Sequence, residues 1–293
     1  MFDLRYHVAS LAAVFVALLI GILVGVGLTG KVDDAGKNEL RRVIQVQEEE
    51  LRVAREREGN ATREDDALAA LVDHGAPKLM EGRLRGKRIG LLFVGTPNTE
   101  IGSSISTALE DAGARDLTRM RALKVPIDPD EIESALRNRP SLARLGGDEQ
   151  LRELGRVLAQ EFVFGGEAPT WNALLTQLVV DQRGRFSPPL DGVVVSRTVE
   201  PQQQATAAFL RGLYVGLADA ADAGAPAVGV ETTNANISAV EVFDRADLAT
   251  VDNVETPPGR VALALLLAGA ESGNYGVKET ASRPLPDEFL EGG

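Results

Sequence analysis

The longest apolar run in the chain is Val8 to Leu28, VASLAAVFVALLIGILVGVGL, 21 residues without a charge and with Ser10 as its only polar side chain. At ~1.5 Å rise per residue a helix of that length reaches about 31 Å, one bilayer core. The pattern therefore predicts a single N-terminal transmembrane helix over 8–28, behind a short tail over 1–7. A cleaved signal peptide is the competing reading, but its apolar region is ordinarily about 7–15 residues and closes on a small-residue A-x-A site. Here the run ends Gly25-Val26-Gly27-Leu28-Thr29-Gly30 without such a site, which favours an uncleaved anchor. Ala13, Ala17, Gly21 and Gly25 recur every fourth residue, a spacing that lets two helix backbones approach closely in lipid. Glycine is also simply common in membrane helices.

Beyond the apolar run the chain turns charged. Leu40, Ile44, Gln47, Leu51 and Ala54 follow a helical stripe, as do Leu68, Leu71 and Val72, with Gly59-Asn60 interrupting the middle. The expectation is a helical, coiled-coil-like stalk over 29–76. Gly21, Gly25, Leu40, Ile44 and Leu51 would then pair it as a homodimer or with a partner helix; a lone amphipathic stalk fits the same pattern.

After Gly75-Ala76-Pro77 the period changes to short apolar runs between helical stretches. Arg88–Val94 (RIGLLFV), Gly192–Ser196 (GVVVS) and Ala227–Val230 suit strands buried on both faces of a parallel sheet, with further strands near Leu117–Val125 and before Asp252. Helices are expected over 101–112, 128–138, twice between 147 and 180, over 202–221, and after Thr256-Pro257, an N-cap followed by proline at the first helical position. The fold class is α/β: a mostly parallel-sheet, three-layer domain over 84–277, closed by a flexible C-terminal tail over 278–293.

Composition narrows the function classes. A net charge of −12 and 4% aromatics argue against nucleic-acid binding. The chain has no cysteine and two histidines, which removes disulfides, thiolate catalysis and cysteine–zinc sites. Those histidines, His7 and His74, lie outside the strand-end loops, so no Ser-His-Asp arrangement is available. Gly95-Thr96-Pro97-Asn98-Thr99 follows a strand and precedes a helix, yet neither G-x-G-x-x-G nor G-x-x-x-x-G-K-[ST] occurs. The residues predict a protein that is not an enzyme and holds no cofactor. For copper, which favours Cys, Met and imidazole, the candidates are His74 and Met80, two ligands that do not make a site. In an open α/β sheet ligands sit beyond the carboxyl ends of the strands; Thr96, Asn98, Arg197, Glu231, Asn234, Asp252 and Asn253 form a candidate binding rim there. The same residue types also cap turns and helices.

The N-terminal LRYHVASLAAVFVALLIGILVGVGL, with Arg5, His7, Ser10 to Phe15 and Gly21, and the C-terminal TVDNVETPPGRVALALLLAG followed by Gly273-Asn274-Tyr275-Gly276-Val277 together resemble the mycobacterial copper transport protein B (MctB) family of actinobacteria and related lineages. The resemblance spans essentially the whole chain. It implies a cell-envelope protein in copper export or copper homeostasis, anchored in the inner membrane with its soluble domain extracytoplasmic, an orientation that flanking charge leaves open. It supplies no copper ligands. Copper enters as a cofactor or cargo through the resemblance alone, and one membrane helix cannot enclose an ion path. The alternative reading is a membrane-tethered, non-enzymatic scaffold, its stalk paired with an envelope protein partner in cell separation or peptidoglycan-hydrolase control.

Overall fold

The computed structural model describes residues 14–25, 34–115, 117–137 and 139–287. The chain divides by its internal contacts into residues 1–68 and 69–293. In the first unit residues 14–25 form a helix, α1. The expected transmembrane helix over 8–28 is overturned: among the described residues no helix is long and apolar enough to cross a membrane. Residues 14–25 are the described part of that run; 1–13 and 26–33 lie outside the described residues.

Helix α2, Asp34–Met80, is continuous over 47 residues. Gly59 does not break it, since an interior glycine costs a helix only about 1 kcal/mol, and Arg52 pairs along the axis with both Glu49 and Glu56. The coiled-coil expectation is also not supported. Ile44 and Leu51 are exposed, as are Val43 and Val46, which fall off the stripe, so apolar residues are scattered around a solvated helix rather than gathered on one seam.

The second unit holds the sheet. In chain order, after the end of α2, come β1 (Ile89–Val94), α3 (Thr99–Asp111), β2 (Arg119–Leu123), α4 (Pro129–Leu136), α5 (Pro140–Ala143), α6 (Gly147–Phe164), α7 (Pro169–Leu178), β3 (Val179–Arg183), β4 (Gly192–Arg197), α8 (Gln204–Asp222), β5 (Ala227–Val230), α9 (Val240–Asp244), β6 (Ala249–Val251), α10 (Pro257–Ala268) and β7 (Asn274–Tyr275). The seven strands are ordered β3-β2-β1-β4-β5-β6-β7. All neighbours are parallel except β3, which runs antiparallel to β2. The class is α/β with a mixed sheet.

Every residue of β1 and β4 is buried because alternate side chains enter two different cores. Leu92, Val94, Val193 and Val195 join α6, α7 and α8 on one face. Leu91, Phe93 and Val194 join α3, α10 and the end of α2, Ala76 and Met80, on the other. Helices α6 and α8 meet backbone to backbone: a Cβ at Gly155, Gly212 or Gly216 would collide with the carbonyl oxygens of Phe209, Arg152 and Arg156 respectively.

Strand β2 puts two fully enclosed arginines into the first core. Arg119 donates to the carbonyls of Phe162, Phe186 and Pro188, and Arg121 to those of Met120, Arg183 and Gly184, while both guanidinium groups lie over the Phe186 ring. Phe162 is in the last turn of α6, whose carbonyls have no partner within the helix, so a cation there meets the negative end of the dipole. Burial, with Arg121 and Arg88 adding repulsion, pulls Arg119 down to about 10. Residues 278–287 do not leave the domain: Gly276 N–H donates to Arg283 O, Ser282 N–H donates to Asn274 O, and Leu285 packs on the second core.

The carboxyl edge of the sheet as a candidate functional site

Strand register gathers the candidate rim. Val94 lies opposite Arg197, Ser196 opposite Val230, and Val230 opposite Val251, so the residues that follow these strands share one edge. The order reverses between β1 and β4, the place where open α/β sheets commonly bind ligands. That crevice is closed. Thr198 Oγ1 donates to Thr96 O across it at 3.0 Å, and the Val199 side chain lies against Gly95. Asn98 caps α3, its Oδ1 accepting from Ile101 N–H at 3.0 Å.

At the β5–β6 end the rim is saturated by the chain. Glu231, 3% exposed, accepts from Ser238 Oγ at 2.9 Å and Ala239 N–H at 2.6 Å. Its remaining partner is Lys278, whose Nζ donates to Glu231 Oε1 at 2.5 Å and to Thr232 O at 2.9 Å. Asp252 accepts the backbone N–H groups of Val277 at 2.8 Å and Lys278 at 3.0 Å. Gly276 passes so close, at φ +142°, that a Cβ there would overlap the Asp252 carboxylate. Glu255 accepts from Thr233 N–H at 2.8 Å. Asn253 is buried beside these groups with its Oδ1 unpartnered, and Asn234 is exposed in the loop after β5. Glu231 and Asp252 are thus both tied to Lys278, which sequence reasoning missed; its signal was a cation directly behind the Gly273–Val277 segment.

At the β4 end the edge is open. Arg197, 8% exposed, donates Nε to Val199 O at 3.2 Å and Nη2 to Glu200 O at 2.8 Å, and it borders a cavity of about 450 Å³ between α8 and α9. A second cleft, about 480 Å³, lies beside α3 over Phe93, Met120 and Asp181, with Asn98 at its border.

The remaining candidates do not join the rim. His74 is exposed on α2 with Nδ1 2.7 Å from Ala70 O, and Met80 is fully buried in the second core. Among the described residues no group of three His, Cys, Asp or Glu is disposed to hold a metal ion. Gly21 and Gly25 lie in α1; Leu40, Ile44 and Leu51 lie in α2.

A comparison with curated proteins finds no match. The sequence does match the family described as "Copper transport outer membrane protein, MctB" over residues 1–286. That match takes in both strand-end groups, the stretch that carries Lys278, and all of α1 and α2. The chain belongs to the MctB family, a family of copper-transport proteins of the cell envelope.

Proposed function

We propose that the protein serves copper export or copper homeostasis at the cell envelope, with its α/β domain outside the cytoplasmic membrane, and that it acts without catalysis through an envelope partner rather than by holding copper in its own side chains. The observation that carries this reading is the family match over residues 1–286. The ligand inventory supports the second half. Copper(I) is held by thiolate and thioether, and the chain offers no cysteine and three methionines, of which Met80 is sealed in the core. The scaffold role in cell separation gains no support from the family match.

Deleting the gene in its native host is expected to raise cell-associated copper and lower copper tolerance, both restored by the intact chain. Unchanged copper content would overturn the role. A copper(I) competition titration of the full chain against a calibrated chelator is expected to show no stoichiometric uptake. Tight one-to-one binding would overturn the non-carrier half alone.

A further inference from the structure

We infer that the cavity between α8 and α9 is a binding site for a small organic anion, one with an oxyanion head and an apolar body about the size of a benzene ring. The inference is independent of the copper reading.

Three guanidinium groups line this cavity, Arg197, Arg211 and Arg245, with Tyr214 and Gln202, and no carboxylate is among the lining residues. On a chain of net charge −12, such a concentration of one sign makes the opening locally positive. Arg197 is held by two carbonyls and cannot swing away. Arg245 is exposed and pairs with the equally exposed Glu241 on its own turn at 2.8 Å, a contact of little strength in water. Arg211 is exposed and forms no ion pair or side-chain hydrogen bond with the described residues.

The second observation is the Tyr214 hydroxyl. Tyr214 is 2% exposed and its Oη has no hydrogen-bond partner, although buried hydroxyls nearly always find one. Its ring is fixed edge-on against Phe243, centroids 5.3 Å apart. Burial pushes its pKa up, and the Arg197 guanidinium beside the oxygen opposes that shift; a guanidinium only donates, so it gives the hydroxyl proton no acceptor. The hydroxyl therefore stays protonated and keeps a donor for an acceptor that the chain does not supply. Arg197 and Tyr214 would hold the oxyanion, with Arg211 closing over it from α8. Leu210 and Val242 supply apolar wall, and the volume of about 450 Å³ exceeds what a bare inorganic ion fills, which is why the ligand carries an apolar body.

The test is isothermal titration calorimetry on the full chain with phenyl phosphate and benzoate, which share one body and differ in the head, and with benzyl alcohol as the uncharged control. One-to-one binding of at least one anion, absent for the alcohol, is expected; the tighter of the two identifies the head. Tyr214→Phe and Arg211→Gln should each weaken it by about tenfold, the loss of one charge-assisted hydrogen bond. Arg185→Gln, an exposed arginine outside the cavity, should leave it unchanged. Absence of binding by either anion, equal binding of the alcohol, affinity unmoved in both cavity variants, or equal weakening by Arg185→Gln would each overturn the inference.

Discussion

At the β5–β6 end of the sheet's carboxyl edge, Glu231 and Asp252 meet donors from the chain itself: Lys278, Ser238 and three backbone N–H groups. At the β4 end, on the neighbouring strand of the same edge, Arg197 faces a cavity and Tyr214 keeps a buried hydroxyl without a partner. Buried polar groups are costly unless satisfied. The first end meets that cost internally, and its charges are structural. The second end leaves it unmet, and an unmet donor beside an accessible cavity is what a binding site looks like before its ligand arrives. Strand-end position alone does not separate the two cases; the partner of each polar atom does.

This contrast can be broken by mutation. Glu231→Ala strands the Lys278 ammonium and two donors, and is expected to cost about 3–5 kcal/mol in urea unfolding. Glu231→Leu combined with Lys278→Met should recover most of that loss, because removing both charges leaves nothing unpaired; a double variant as unstable as the single would mean that the pair is not the origin of the cost. Asp252→Ala is expected to cost about 2 kcal/mol and to speed amide hydrogen exchange over residues 276–283. Exchange there as slow as in the intact chain would show that the segment is held by other contacts. Tyr214→Phe should change stability by less than about 0.5 kcal/mol. A loss above about 1.5 kcal/mol would make its hydroxyl a structural group like Glu231, and the two ends would cease to differ.

The strands with continuous aliphatic runs, β1, β4 and β5, were legible in the sequence because burial on both faces leaves no polar position to confuse the pattern. Strand β2 was obscure: Arg119 and Arg121 occupy buried positions whose satisfaction comes from carbonyls of residues 162, 183, 184, 186 and 188, distances in sequence that periodicity does not reach. Strand β3 lies at the sheet's edge and is largely exposed, so it carries no apolar alternation and reads as the end of a helix. The apolar run over 8–28 gave the strongest hydropathy signal in the chain, and the residues of it that the structure describes, 14–25, are helical. Rim residues were recognisable by type and strand-end position. Lys278, 47 residues beyond Glu231, was not, and neither were Arg211 and Tyr214, although their i, i+3 spacing puts them on one face of α8.

The backbone contact of α6 with α8 through Gly155, Gly212 and Gly216 has a consequence for that face. Helix α8 can neither slide along α6 nor rotate against it without driving main chain into main chain, so the wall that carries Arg211 and Tyr214 is ordered before any guest arrives. A guest surrenders its own translational and rotational freedom on docking but need not organise its host. Its residence time is then set by how well its outline and charge match a wall already in place.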